Sequence, residues 1–221
     1  MNKLTLTNKN IWKVYSPVYA KITPTMQKSL LLHAAFNAKG SVLDAGTGVG
    51  KLLPYLKAND KVKEVLGIDA NEHMLNESKQ YEDNTVKTIL GDVQNHQGSY
   101  DTIISLNVLY TLNDPLIFLK KAFFNLKEKG TLILSSINKT MNMQTLTKIA
   151  DLEFMSCVNS ELLKDYKLFK ECNYYLTSQS QFKPKLFDME EMILILEELG
   201  FKIRDSQTDY KGTLFTIIAQ K

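Results

Sequence analysis

A glycine-rich turn after an apolar run is the first feature of this sequence whose residue types and spacing could do chemistry. The stretch VLDAGTGVG contains Asp44 followed by three glycines at alternate positions, Gly46, Gly48 and Gly50. Glycines let a ligand approach the backbone closely, and a helix that follows such a turn points its unpaired amide groups at the same ligand. We therefore expect the segment from Gly46 to Gly50, the glycine loop, to lie against a bound molecule.

Two aspartates further along the chain fall at the expected ends of the second and third strands. Asp69 comes nineteen positions after Gly50, where a carboxylate can accept hydrogen bonds from a ribose diol. Asp92 ends the next apolar run and would face an adenine edge. Because the carboxyl ends of parallel strands line one crevice, these positions predict a nucleoside-containing ligand beside the glycine loop. The alternative is that both aspartates are solvated turn residues.

Strands that alternate with helices would position these residues. The apolar runs that read as buried strands are 41–46, 62–70, 85–92, 100–107 and 131–137. One of the helices between them is predicted to run from Pro115 to Gly130. Two last strands, joined by the short turn TDYKG, favour an antiparallel pair. The pattern predicts an α/β fold with a doubly wound, seven-stranded, mostly parallel sheet and an antiparallel last strand.

Composition and charge limit the classes of partner. The chain has 221 residues, of which 44% are hydrophobic and 23% charged, and its net charge is +3. This mild charge, spread among acidic residues, indicates neither nucleic acid nor an anionic membrane surface as a partner. Cys157 and Cys172 lack metal-site spacing, so we expect no metal. Since the sequence has no recognisable signal peptide or membrane-spanning run, we expect a cytoplasmic protein. We also expect either a monomer or a homodimer.

The spacing of the glycine loop separates two kinds of nucleotide-binding protein. The dinucleotide fingerprint G-x-G-x-x-G would need its third glycine at the position of Lys51, which disfavours an NAD(P)-dependent oxidoreductase. The sequence from Asp44 to Gly50 instead resembles the D-x-G-x-G-x-G signature of the class I S-adenosylmethionine-dependent methyltransferases, and the resemblance covers roughly residues 40–137. It implies a Rossmann-like fold, S-adenosyl-L-methionine as cofactor and S-adenosyl-L-homocysteine as product.

Four motifs carry this resemblance and assign a cofactor site. They are the glycine loop with Asp44, GIDANEHML at 67–75, ILGDVQ at 89–94 and SLNVLYTLND at 105–114. The resemblance implies that the glycine loop contacts the methionine part, Asp69 the ribose hydroxyls and Asp92 the adenine amino group. The residues assigned to the cofactor are Asp44, Gly46, Gly48, Gly50, Asp69, Ala70, Asp92, Val93, Asn107 and Tyr15. For Asn107, a purely local bond to the backbone is an equally good interpretation.

Tyr110, His96 and Tyr19 are the candidate catalytic residues, and we expect them to position the acceptor rather than to act as bases. If the acceptor were a hydroxyl group, His96 or an ionised Tyr110 would be needed as a base, whereas an amine could lose its proton to solvent. SLNVLY stands where N-P-P-[YF] is found in enzymes that methylate amino groups of nucleic acids or glutamine. The sequence therefore favours a small-molecule acceptor with a nitrogen or oxygen nucleophile.

The chain is expected to form one domain, 1–221, with four parts. These parts are an N-terminal lid segment at 1–23, a cofactor-binding core at 24–137, a helical substrate-cover insertion at 138–185, and a final helix and strand pair at 186–221. The lid segment carries Tyr15 and Tyr19, which would close over the cofactor, and a plain strap packed on the core is the alternative. A partner subunit that binds adenosyl ligands without turnover is a further alternative function.

Overall fold

A seven-stranded sheet forms the centre of the computed structural model, which describes residues 6–140, 143–155, 159–179, 184–209 and 212–221. The strands are β1 Gly40–Ala45, β2 Val62–Asp69, β3 Val86–Leu90, β4 Tyr100–Leu106, β5 Leu126–Ile137, β6 Lys202–Asp209 and β7 Leu214–Gln220. Their order across the sheet is β3-β2-β1-β4-β5-β7-β6, and β7 runs antiparallel to both of its neighbours while the other pairs are parallel. The predicted fold class is confirmed.

Helices cover both faces of this sheet and one end of it. They are α1 Ile11–Lys21, α2 Thr25–Asn37, α3 Leu53–Lys57, α4 Glu72–Ser78, α5 Pro115–Asn125, α6 Met143–Met155, α7 Ser160–Ser178 and α8 Met189–Glu198. Several begin at the capping residues that the sequence indicates. Asp188, for example, forms a capping box with Glu191 at the start of α8. Asn71 caps α4 without a capping box, because its side chain accepts hydrogen bonds from two backbone amides of the first turn.

The boundary between α5 and β5 differs from the prediction. The helix was expected to continue to Gly130, but α5 ends at Asn125 and β5 begins at Leu126. Leu126 is buried and pairs with Tyr100 at the start of β4. Burial against the sheet therefore outweighs the helical preference of Leu126 and of the Lys and Glu residues that follow it.

Two apolar clusters, one on each face, hold the sheet. On one face, Phe118 and Leu119 of α5 pack with Met192 and Leu196 of α8 against inward side chains of β4, β5 and β7. On the other face, α2 and α3 pack against β1 and β2 through a second cluster. Because both faces of the central strands are covered, their side chains are nearly all apolar, as the sequence pattern indicates.

Helices α1, α6 and α7, here called the roof, pack together away from these two clusters. α1 lies in a segment for which the sequence analysis predicted no helix, and Pro17 stands inside it. Ile11 and Tyr15 of α1 pack against Cys172 of α7, and Val18 packs with the cluster formed by α6 and α7. These contacts come from residues far apart in sequence, so tertiary packing stabilises a helix that the local sequence signals only weakly.

Some of the predicted features lie outside the described residues, namely Cys157 and the middle of the TDYKG turn at 210–211. Across the described ranges, no helix has the length and apolar character needed to cross a membrane.

Candidate functional site

A cavity of about 990 Å³ lies at the carboxyl ends of β1, β2, β3 and β4 and is also lined by α1 and α7. The predicted site residues that line it are Tyr15, Tyr19, Asp44, Gly46, Gly48, Asp69, Ala70, Asp92, Val93, Asn107 and Tyr110. Tyr15 and Tyr19 come from α1, and the sheet brings the other residues together because four parallel strands end at the same edge. The glycine loop and these strand ends, here called the floor, face the roof across the cavity.

The glycine loop is held close to the sheet by backbone bonds. The amide groups of Gly46 and Thr47 both donate to the carbonyl of Ile68, at 2.8 and 2.9 Å. Gly46 has a φ of +81°, and a Cβ added there would lie 2.3 Å from Cγ2 of Val108. Glycine is therefore required at Gly46 by both conformation and space. At Gly48 a Cβ would meet only Met74, at 3.5 Å, so the backbone there is open to the cavity.

Asp69 connects the end of β2 to the glycine loop. Its Oδ2 accepts from the amide of Gly48 at 2.8 Å, and its Oδ1 accepts from the amide of Asn71 at 2.8 Å. Burial raises the pKa of Asp69 above its ordinary value, and these two bonds act in the opposite direction. Each carboxylate oxygen retains a second lone pair, so Asp69 can still accept from a ligand hydroxyl.

Asp44 is the most buried acidic group of the cavity. Its side chain is 4% exposed, and within the described part of the chain its Oδ2 has no hydrogen-bond partner. Burial, with a contribution from the negative charge of Asp69, raises the pKa of Asp44 to about 7. A buried acceptor of this kind is costly unless a ligand supplies the missing donor.

Asn107 and Asp92 complete the polar part of the floor in different ways. Asn107 has a φ of +60°, which is uncommon outside glycine, and its amide donates to the carbonyl of Ser135 at 2.8 Å. Its buried Oδ1 also lacks a partner among the described residues. Asp92 is exposed and accepts from the amide of Gln94 at 2.8 Å, in a local turn. The strained backbone and the unpartnered oxygen make Asn107 the stronger candidate of the two for ligand contact.

Stacked aromatic rings of α1 and α7 form the opposite wall. The rings of Tyr15 and Tyr19 are stacked at 5.2 Å between centroids, and Phe169 stacks on both at 5.9 and 6.0 Å. The hydroxyl of Tyr15 donates to Oδ1 of Asn173 at 3.0 Å. Tyr15 and Tyr19 line the cavity, whereas Phe169 is not among its lining residues, so the wall combines aromatic rings with hydroxyl and amide groups, which is typical of small-molecule sites.

Two of the predicted site residues lie away from the cavity. His96 is not among its lining residues, because the loop after β3 turns back toward β4 and places the His96 Nε2 2.7 Å from the hydroxyl of Tyr100. Gly50 is also absent from the lining, and a Cβ there would lie 2.8 Å from Ser78, so its glycine permits close packing between the loop and α4. His96 and Gly50, predicted to position the acceptor and to contact the cofactor, therefore lie outside the lining of the cavity.

Tyr110 lies in the cavity, but its environment does not suit a base. Burial raises the pKa of its hydroxyl, and the neighbouring Tyr19 acts in the same direction. The phenol therefore stays protonated at neutral pH and offers a hydrogen-bond donor. The prediction that Tyr110 positions an acceptor is compatible with this state, whereas its role as an ionised base is not.

Gln27, Lys51, Met74 and Asn173 also line the cavity, although the sequence analysis assigned none of them to the site. Lys51 directly follows the glycine loop, and this proximity was a signal that could have identified it. Gln27 and Asn173 reach the cavity from α2 and α7 through tertiary packing, which leaves no local pattern in the sequence.

The floor fits a cationic nucleoside derivative. Asp44 and Asp69 place two carboxyl groups beside the open backbone of Gly48, and the unpartnered oxygens of Asp44 and Asn107 accept hydrogen bonds. A ligand with an ammonium group and ribose hydroxyls supplies the donors that these acceptors lack. S-Adenosylmethionine has both groups and a positive sulfonium, so the residues present fit the cofactor that the sequence motifs imply.

Comparisons with known proteins agree with this geometry. Residues 20–206 match the model of a family described as a methyltransferase domain. No curated protein sequence matches the chain. Similar solved structures include a SAM-dependent methyltransferase of Thermotoga maritima, described as a possible histamine N-methyltransferase, with 18% identity, a TM-score of 0.62, and coverage of 96% of this chain and 99% of that one.

Two further structures of known fold are similar over nearly their whole length. A SAM-dependent methyltransferase of Aquifex aeolicus is 20% identical, with a TM-score of 0.60 and coverage of 98% of this chain and 99% of that one. Magnesium protoporphyrin IX methyltransferase of Synechocystis PCC 6803, solved with bound SAH, is 21% identical, with a TM-score of 0.60 and coverage of 100% and 90%. These likenesses show the fold, and the family model covers most of the chain. The chain therefore belongs to the methyltransferase-domain family, the class I methyltransferases that use S-adenosylmethionine.

Proposed function

We propose that this methyltransferase transfers the methyl group to a nitrogen or oxygen atom of a small molecule. The observation that carries the proposal is the pair of stacked tyrosine rings of α1, Tyr15 and Tyr19, which line the cavity opposite the floor. Small-molecule sites typically have volumes of roughly 300–1,000 Å³. The volume of about 990 Å³ therefore leaves room for the cofactor together with a small acceptor, but little for a macromolecular segment.

In this proposal, the floor binds the cofactor. Asp69 accepts from the ribose hydroxyls, and the open backbone of Gly48 lies against the methionine part. Asp92 and Val93 contact the adenine, and the buried carboxyl of Asp44 accepts from the ammonium group. When bound, the cofactor supplies a methyl group on a positively charged sulfur that is already a good leaving group. The protein then needs mainly to bind, orient and exclude water.

The roof orients the acceptor. Tyr19 of the roof, together with Tyr110 in the segment after β4, presents a neutral hydroxyl group to the cavity, where each donates a hydrogen bond to an acceptor or holds it by its ring face. Holding two reactants in line contributes on the order of 7–11 kcal/mol relative to a bimolecular reaction. An amine acceptor releases its proton to solvent before it reacts, so no dedicated base is required.

Turnover with defined acceptors tests the proposal. The protein is incubated with S-adenosylmethionine and panels of small amines, phenols and carboxylates, and the formation of S-adenosylhomocysteine and of methylated product is measured by mass spectrometry. Parallel reactions contain total RNA or unfolded protein as macromolecular acceptors. We expect product from at least one small-molecule class. Turnover with the macromolecules alone would refute the small-acceptor assignment, and cofactor binding without any turnover would favour a non-catalytic subunit.

Two further predictions from the sequence concern the location and the oligomeric state of the protein. A cytoplasmic location and a monomeric or homodimeric state agree with a small-molecule enzyme, and both stay predictions. Gel filtration with light scattering measures the second directly.

A further inference from the structure

Lys51 brings a buried amino group to the wall of the cavity. Its side chain directly follows the glycine loop and lines the cavity. Among the ion pairs of the described residues, none includes Lys51. Burial lowers the pKa of its ammonium group to about 7. An ammonium group in such a place costs free energy, so its neighbours must favour it for a specific reason.

Three contacts of Lys51 reach across to the roof. Its Nζ donates to the carbonyl of Ile22 at 2.6 Å, directly after α1, and to Oε1 of Gln27 at 3.0 Å. The same Nζ lies 3.5 Å from the ring centroid of Tyr19, in a cation–π contact. One side chain at the end of the glycine loop therefore contacts α1, α2 and the segment that joins them.

Gln27 extends this network to the Tyr19 hydroxyl. While its Oε1 accepts from Lys51, its Nε2 donates to the hydroxyl oxygen of Tyr19 at 2.9 Å. The Gln27 amide is thereby fixed in one orientation, with oxygen toward Lys51 and nitrogen toward Tyr19. Because the Tyr19 oxygen acts as an acceptor here, its own O–H is left to donate to another group at the cavity.

We propose that Lys51 is a positioning residue, which fixes the Tyr19 hydroxyl through Gln27 and ties α1 to the glycine loop. The inference rests on the proposed function only in that it concerns the same cavity. An apolar residue of similar length would leave the carbonyl of Ile22 and the amide oxygen of Gln27 without their donor. The end of α1 would then separate from the loop more often, and Tyr19 would no longer be held in one place.

Trp12 provides a direct readout of the state of α1. It is the single tryptophan of the chain, it lies in α1, and it lines the cavity. Quenching of its fluorescence by acrylamide therefore measures how far the roof admits solvent near the site. The measurement is made on the full chain without cofactor, so its outcome does not depend on turnover or on the identity of the acceptor.

The experiment compares Lys51→Met with a matched control, Lys57→Met. Lys57 belongs to α3, which follows the same loop, but its ammonium group is paired with Asp83 away from the cavity. We expect the quenching constant of Trp12 to rise roughly twofold or more in Lys51→Met and to stay near the wild-type value in Lys57→Met. Lys51→Arg, which retains charge and donors, should restore most of the wild-type protection.

Gln27→Ala is a second variant, which keeps the proposal testable if Lys51→Met does not fold. It removes one partner of Lys51 and the donor to Tyr19, and it keeps the Lys51 bond to Ile22. We expect an intermediate rise in quenching, with the far-ultraviolet circular dichroism of the wild type. Wild-type quenching in both Lys51→Met and Gln27→Ala, or an equal rise in Lys57→Met, would overturn the proposal.

Discussion

The floor and the roof of the cavity are held together by contacts of very different range. In the floor, Asp69 accepts from Asn71, two residues away, and from Gly48, twenty-one residues away. In the roof, the Tyr15 hydroxyl bonds to Asn173, 158 residues away. The floor is thus built largely by short motifs that follow consecutive strands, whereas the roof depends on the packing of two distant segments.

In the proposed function, this difference in range separates two tasks, because the floor binds the cofactor and the roof binds the acceptor. Cofactor binding needs a few polar atoms and open backbone at fixed positions, which the ends of parallel strands supply. Acceptor binding needs a shaped apolar wall, which aromatic packing supplies. Changes in the floor should therefore act on cofactor binding and on the protonation of buried groups, and changes in the roof should act on closure. The predictions below test this division, from the largest expected effect to the smallest.

Asp44 should give the largest effect, on the pH dependence of stability. Its pKa is raised to about 7 in the folded protein, so the folded state holds this proton more tightly than the unfolded state does. The resulting stabilisation is complete at pH values below the ordinary aspartate pKa, and it is lost as the pH rises through 7. At about 1.4 kcal/mol per pKa unit, the loss is on the order of 4 kcal/mol.

Asp44→Asn stays neutral and should remove this dependence. In urea unfolding of the ligand-free protein, we expect the variant to be more stable than the wild type at pH 8 and nearly equal to it at pH 4. Its affinity for S-adenosylmethionine should fall, because the acceptor charge is lost. Asp92→Asn, at an exposed position, serves as the control for the Asp-to-Asn substitution itself. A wild-type pH profile in Asp44→Asn would show that folding does not raise the pKa of Asp44 and that other groups set the profile.

The sheet could be predicted from the sequence because its signals are local. Apolar runs with polar boundaries gave its five parallel core strands, and the short last turn gave the antiparallel pair. The sequence pattern was misleading where tertiary contacts decided the structure. Leu126 falls within the helix predicted to run to Gly130, but it pairs with Tyr100 in the sheet. α1 was missed because its helix depends on packing against α7 and contains Pro17.

The site residues also divide into those that local motifs indicate and those that depend on tertiary packing. Asp44, Gly46 and Asp69 were found because their motifs stand at the ends of consecutive strands, and all three line the cavity. Gln27 could not be found, because its role depends on where α2 packs relative to the glycine loop. His96 was expected at the cavity because of its position after β3, but its Nε2 is hydrogen-bonded to the hydroxyl of Tyr100 and it is not among the lining residues.

Gly46→Ala tests how closely the floor is packed. The new Cβ would lie 2.3 Å from Val108 and would also require an unfavourable φ of +81°. We expect a loss of roughly 2–4 kcal/mol in the free energy of unfolding. Gly212→Ala is the control, because Gly212 has a similar φ of +76° and no atom of the described residues lies within 4 Å of an added Cβ. Equal losses in both variants would attribute the whole effect to conformation and none to the close approach of Val108.

Asp69→Ala should weaken the binding of S-adenosylmethionine by on the order of 1.5–3 kcal/mol, the range for hydrogen bonds to a charged group. Isothermal titration calorimetry measures this loss directly. Asp101→Ala is the matched control, since Asp101 also accepts backbone and side-chain bonds but lies at the opposite end of the sheet, beside Ser41 and Lys127. It should reduce stability without changing affinity. Unchanged affinity in Asp69→Ala would exclude this residue from the cofactor site.

Tyr15→Phe should have the smallest effect and tests how the roof is held. The substitution keeps the ring that stacks on Tyr19 and Phe169 and removes only the hydroxyl that donates to Asn173. A hydrogen bond of this kind contributes about 0.5–1.5 kcal/mol to the free energy of unfolding. Tyr174→Phe is the control: Tyr174 lies in α7 next to Asn173 and is 76% exposed, so the loss of its hydroxyl should have no measurable effect. If the two variants unfold alike, the Tyr15–Asn173 bond does not help to hold α1 against α7, and that contact then depends on ring stacking, apolar packing and the Lys21–Asp165 ion pair.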